Sequence, residues 1–168
     1  MQSKLNSQNL LFQVLAINIK IMENKVAEIK VSYFNNTSEK IKITGSLKAF
    51  QVLLGSWNID TLELQEEFKI LMLNYANEVL GVYNLSKGGV SGTVVDIKLL
   101  FAVALKCHAS NIIIAHNHPS GTLIPSESDK TITAKIKKAS ELLDIKLIDH
   151  LIVTKEGYYS FSEFGLLS

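Results

Sequence analysis

At 168 residues, 47% of them apolar, and with a formal charge of +1, the chain can bury one substantial core and lacks the basic excess that marks a tight nucleic-acid binder. Its single cysteine excludes an internal disulfide and fits a reducing compartment, and no apolar run approaches the ~20 residues that span a bilayer. A cytoplasmic protein with no membrane role is therefore expected.

In chain order, Leu10 to Ile17 is apolar, but Asn18 and Lys20 interrupt it and no small-x-small cleavage site follows, which argues against a signal peptide. Met22-Glu23-Asn24-Lys25 would suit an ordinary start, so residues 1–21 are expected to be an extension outside the core and residues 22–168 the domain. Val26 to Phe34 alternates as a strand, Asn35-Asn36 marks a turn, and Ile41 to Thr44 reads as a short partner strand. Ser46 is placed to cap a helix through Leu54 that ends at Gly55. Strands follow near 66–73 and 78–85, joined by Asn74 to Asn77, whose asparagines tolerate turn conformations. Gly88, Gly89 and Gly92 fit neither a Walker nor a dinucleotide spacing and read as a turn between strands, with Ser91 a possible substrate contact. A helix is expected from Asp96 to about Ser110, with His108 complementing its negative end.

Asn111 to Ala115 reads as a short buried strand, and His116 and His118 follow at its C-terminal end. Residues two apart in extended chain point to the same side, so the two imidazoles can converge. Pro119, Gly121 and Pro125 then make a loop, and a helix begins at Ser126, with Ile132, Ile136, Ala139 and Leu143 on its apolar face. The lysines Lys130, Lys135, Lys137 and Lys138 fall largely on its other faces, where a solvated surface is the plain reading. Asp129 lies in the first turn of this helix. With His116 and His118 it supplies the nitrogen and oxygen donors that a catalytic zinc site needs, leaving one position open for water. The competing explanation of Ser126 and Asp129 is a capping box, since an acid three residues after a serine suits a helix N-terminus. His150 follows Asp149 in a strand, either as support for the site or as a hydrogen-bonded core pair.

The run from His116 to Asp129, His-x-His-Pro followed by a short loop and Ser-x-x-Asp, resembles the JAMM motif of the MPN metalloprotease superfamily. The form here, His-Asn-His-Pro-Ser-Gly, resembles the RadC branch, bacterial proteins named for DNA repair, more than the deubiquitinating branch, which usually carries Ser or Thr where Asn117 stands. The likeness runs from about Glu63 to Leu167. It takes in the strand through Phe68 and Leu73, the Gly88 to Thr93 turn, and a closing hairpin of Leu147 to Val153 with Tyr159 to Phe161.

The resemblance implies an α/β fold, a single MPN/JAMM (cytidine-deaminase-like) domain with a mixed β-sheet flanked by helices. It implies Zn2+ held by His116, His118 and Asp129, with Ser126 steadying the oxyanion. It also implies an upstream glutamate as general base of a metallopeptidase or isopeptidase acting on a protein or peptide. Glu66 and Glu67 both stand near that place and face opposite sides of a strand; alignment on Phe68 and Leu73 favours Glu66. The helix-hairpin-helix-like region of full-length RadC proteins has no counterpart before Glu66, so a stand-alone module, of the type found on mobile elements, is expected. The alternative function is a repair, recombination or mobile-element accessory protein that binds DNA or a DNA-bound protein, its metal site structural or vestigial. Substrate identity and oligomeric state are not written in the motif.

Overall fold

The apolar run that starts at Phe68 is covered on both faces, and this decides the architecture. In the computed structural model, which describes residues 12–13, 32–35, 39–89 and 92–167, contacts divide the chain into two units, Met1–Ser32 and Tyr33–Ser168. The second unit contains, in chain order, α1 (Ser46–Leu54), β1 (Glu67–Leu73), β2 (Val79–Lys87), α2 (Ile97–Lys106), β3 (Asn111–Asn117), α3 (Glu127–Leu142), β4 (Lys146–Val153) and β5 (Tyr158–Ser160). The five strands form one mixed sheet in the order β2-β1-β3-β4-β5. Of the paired neighbours only β3 and β4 are parallel, a pairing that needs a crossover connection, and α3 lies in that crossover. The expected class, a mixed sheet flanked by helices, is what the chain adopts.

Side-chain alternation sends the two faces of the sheet to different helices. Phe68, Ile70 and Met72 of β1 join Ile112 and Ile114 of β3 beneath Leu100, Phe101 and Ala104 of α2 and Ile136 of α3. Leu71, Leu73, Ile113, Ala115, Leu151 and Val153 point the other way and pack with Ala49 and Leu53 of α1 and with Trp57 and Leu62. Each fully buried leucine or isoleucine contributes roughly 1.5–3 kcal/mol of transfer free energy. Lys69 is the one charged side chain inside the run. Its ammonium is satisfied by Ser56 O at 3.0 Å, Asn84 Oδ1 at 2.6 Å and Glu67 Oε2 at 3.2 Å, and it lies over the Trp57 ring.

The hairpin between β1 and β2 turns on asparagine chemistry. Asn74 Oδ1 accepts from Ala76 N and Glu78 N, and Asn77 takes the left-handed conformation at φ 61°. Asp96 caps α2, its Oδ1 accepting from Lys98 N and Leu99 N.

Several local expectations need correction. Gly45, not Ser46, is the N-cap of α1, and no side chain caps that end. Ser46 Oγ instead donates to Asp149 Oδ2 at 2.9 Å, where a buried carboxylate is the stronger acceptor. α2 stops at Lys106 rather than near Ser110, and His108 at φ 53° cannot continue a helix. The expected strand at Ile41 to Thr44 reduces to a bridge from Lys42 to Glu78. The glycine segment leads from β2 into α2 rather than into another strand. Of the expected strand Val26 to Phe34, residues 26–31 lie outside the described residues and 32–34 are not in a strand. The expected boundary after residue 21 also lies outside them. No helix among the described residues is long and apolar enough to cross a membrane.

Candidate metal centre

β3 runs two residues further than its apolar core implies, so His116 and Asn117 belong to the strand, and His118 follows with its N–H bonded to Val153 O at 3.0 Å. Gly121, at φ 76°, closes a turn by donating to His118 O, and the chain re-enters helix at Ser126. Three elements are thereby tied together: the end of β3, the loop after it and the first turn of α3. His116 Nε2 and His118 Nε2 lie 2.9 Å apart, and Asp129 Oδ1 and Oδ2 lie 3.3 and 3.7 Å from them respectively. One donor atom from each of the three residues lies within 4.8 Å of the others, and among the described residues no other group of three or more does so.

Hydrogen bonds fix the tautomer of both rings. Thr133 Oγ1 donates its only proton to Asp129 O, at 2.5 Å, so it must accept from His150 Nδ1–H at 2.6 Å. His150 Nε2 is then an acceptor and takes the Nδ1–H of His116 at 2.8 Å. On the other side, Thr122 O can only accept, so His118 Nδ1 carries a proton toward it at 2.6 Å. Both Nε2 atoms are left aimed at Asp129. Two imidazole lone pairs and a carboxylate at this spacing repel unless a cation lies among them, a proton or a metal ion, so the donor set fits a divalent metal of the zinc class. Phe68 stacks on His116 and Phe161 on His150, which fixes the ring planes.

Electrostatics follow from this packing. Burial alone would raise the Asp129 carboxyl, but the His116 and His118 rings, once a proton is placed between them and the carboxylate, and the Ser126 hydroxyl hold it far below the usual carboxylate range. His118 is raised by its bond to Asp129, against the effect of burial and with help from Thr122 O. His150 is driven well below the ordinary histidine value by complete burial and by the neighbouring His116 ring.

Glu66 and Glu67 part at the start of β1. Glu66 lines the same cleft as His116, His118, Ser126 and Asp129, a cavity of about 500 Å³. Its carboxyl is raised by burial, with the His116 and His118 rings pulling the other way and Asp129 adding to the rise. Glu67 turns to the opposite face and pairs with Lys69 and Lys87. Glu66 N donates to Gly89 O at 3.0 Å and Gly88 N to Glu66 O at 2.8 Å, which extends the β1–β2 pairing to the cleft. Gly88 is obligatory there, because a Cβ would meet Gly92 O at 2.1 Å. Ser126 forms the capping box with Asp129: its Oγ accepts from Asp129 N at 3.1 Å and donates to Oδ2 at 2.6 Å. The capping explanation holds, and the same Asp129 carboxylate keeps Oδ1 3.3 Å from His116 Nε2.

His150 bonds to His116, while Asp149 lies on the opposite face and accepts from Ser46, Ser160 and Ser162 N. Sequence reasoning missed Thr133, Thr122 and the four bonds of Asn117, whose partners are separated in the chain. Ser91 lies outside the described residues. His108 joins no metal-binding group among the described residues.

Comparison with known proteins supplies the family. A family model described as the RadC-like JAB domain matches residues 43–166. That match begins about twenty residues before the likeness seen at Glu63, and it takes in α1, whose Ala49 and Leu53 complete the core. A UPF0758 protein of Flavobacterium johnsoniae is 49% identical over 125 residues, 74% of this chain and 53% of that protein. A UPF0758 protein of Porphyromonas gingivalis is 48% identical over 104 residues, 61% of this chain and 46% of that protein. The UPF0758 protein YfjY of Escherichia coli K12 is 45% identical over 103 residues, 61% of this chain and 64% of that protein. The chain thus spans roughly half to two thirds of the length of these relatives. With the family model covering most of the chain and a mixed sheet flanked by helices beneath it, the chain belongs to the RadC family and carries its JAB domain.

Proposed function

We propose that this domain is a zinc-dependent hydrolase of the JAMM metallopeptidase type that cleaves an amide or isopeptide bond in a protein or peptide. The observation that supports it most is the convergence of two tautomer-locked imidazoles and a carboxylate on one wall of a cleft that also holds Glu66. A zinc ion held by His116, His118 and Asp129 would polarise the substrate carbonyl and bring the pKa of water from ~16 toward ~7. Glu66, its proton affinity raised by burial, accepts the proton of the attacking water and returns it to the leaving nitrogen. Ser126 steadies the oxygen of the attacked carbonyl once its hydroxyl proton is released from Asp129 Oδ2. Phe68, Val95, Ile124 and Ile132 give the cleft an apolar wall, and Thr93, Ser120 and Thr122 offer polar groups to a peptide backbone.

A protein or peptide suits this cleft better than DNA does. The lysine side of α3 is partly committed within the molecule, Lys130 to Glu127 at 2.6 Å and Lys137 to Leu167 O at 2.8 Å. The test is metal content by mass spectrometry after equilibration with limiting zinc. About one zinc per chain is expected in the wild type and none in the His116→Ala, Asp129→Ala double variant. Glu66→Gln should keep its zinc and lose about 10²- to 10⁴-fold in cleavage of whichever peptide or isopeptide a screen identifies. Wild-type protein that stays metal-free after reconstitution would sink the proposal, and salt-dependent DNA affinity that survives His116→Ala would replace it with the accessory role.

A further inference from the structure

Asn117 stands between the two histidines, yet its side chain turns away from the cleft and is fully buried. Oδ1 accepts from Glu67 N at 2.7 Å and from Trp57 Nε1 at 3.2 Å. Nδ2 donates to Leu62 O at 2.7 Å and to Gln65 O at 2.8 Å. A primary amide has two donor hydrogens and two acceptor lone pairs, and all four are used. The partners also fix which way the amide points, because two N–H groups face its oxygen and two carbonyls face its nitrogen.

The position of this amide in the sheet gives it a purpose. The ladder between β1 and β3 ends at the pair Phe68 and His116. Past that pair the backbone of Asn117 stays with β4 opposite Val153, and β1 parts from it. The Asn117 side chain bridges the gap and takes the Glu67 N–H and the Gln65 carbonyl, the groups on either side of Glu66. Gly88 and Gly89 also hold the Glu66 backbone, but they tie it to β2, its own hairpin partner. At this end of the hairpin, Asn117 is the side chain that joins the glutamate segment directly to the histidine strand.

We propose that Asn117 is a positioning residue that sets Glu66 at its working distance from the His116–His118–Asp129 centre by clamping the chain on both sides of it. This rests on the reading of that centre as a metal site. A hydroxyl at this position donates one bond and cannot span both carbonyls, and a carboxylate would face Leu62 O and Gln65 O with like charge.

The test uses Co2+ as a paramagnetic probe in full-length protein, with 13C-labelled glutamate side chains and isoleucine and valine methyls followed by NMR. Bound cobalt shifts nearby nuclei according to their distance and direction from the ion. In the wild type, the Glu66 side chain and the Val95 and Ile132 methyls should all show large cobalt-dependent shifts. In Asn117→Ser, the Glu66 shift should fall by more than half while the Val95 and Ile132 shifts stay within a tenth of wild type. Asn117→Asp keeps the volume and both accepted bonds, and serves if the serine variant does not fold; the same outcome is expected. An unchanged Glu66 shift in either folded variant overturns the positioning role and leaves the metal reading standing. Methyl shifts that move together with Glu66 also overturn it, since the residue would then only hold the fold. Failure of the wild type to bind cobalt overturns the metal reading first and this inference with it.

Discussion

At the scale of single residues, Thr133, His150 and His116 impose a proton order on one another. The relay from Asp129 O through Thr133 and His150 to His116 leaves His116 Nε2, which faces Asp129 Oδ1, bare. His150→Phe keeps an aromatic ring between Phe68 and Phe161 but removes the acceptor for His116 Nδ1–H. Zinc affinity should fall about 10- to 100-fold in competition with a chromophoric chelator, and an unchanged affinity would show that the relay does not matter. The convergence of His116, His118 and Asp129 was legible from sequence because motif and local geometry coincide. His116 and His118 are two apart in extended chain, and Asp129 is fixed by a helix start that Ser126 announces. Their supports were not legible. Asn117 reaches partners 50 to 60 residues away, and His150 reaches His116 across 34, so only the sheet register brings them together. The Glu66 and Glu67 ambiguity ended in the same way, since the glycine segment and the lysines of β1 and β2 decided which face each carboxylate met.

At the scale of elements, the site joins two pieces of different character. The histidines sit at the end of a strand held on both sides, whereas Glu66 sits at the end of an edge hairpin braced by the glycine segment. Gly88→Ala should therefore destabilise the protein by about 1–3 kcal/mol in urea unfolding, because the new methyl forces Gly92 and Thr93 outward. It should also disturb Glu66 more than zinc binding, which metal analysis and a cleavage assay would separate. The same contrast explains which elements could be read beforehand. α3, with its capping box and apolar face, and β3, with its isoleucine run, carry their own signals. α1 was found but its cap was mistaken, because the Ser46 hydroxyl answers to Asp149, 103 residues away, rather than to its own helix.

For the whole molecule, stability should report on the centre. Zinc at 100 times its dissociation constant adds about 2.7 kcal/mol, which for a chain of this size raises Tm by about 5–10 °C, reversed by a chelator. Absence of any shift would mean that the folded state does not bind the ion preferentially. Acid should also loosen the metal-free fold through His150. Its folded pKa lies well below the unfolded value of about 6.5, so the unfolded chain takes up a proton that the folded chain refuses. That share of stability is present above about pH 6.5 and is lost as the pH falls below it. The urea midpoint should drop between pH 8 and pH 5 in the wild type and drop less in His150→Phe, and equal slopes would remove His150 as the cause. Because the Asp129 carboxylate is already held by Ser126 N and Ser126 Oγ as part of a helix cap, the proposed metal site has its oxygen donor in place in the metal-free fold. On the proposed reading, loading would follow synthesis as simple exchange into a finished fold, at the pace of ion diffusion and ligand substitution, without the chain having to be remade around a metal.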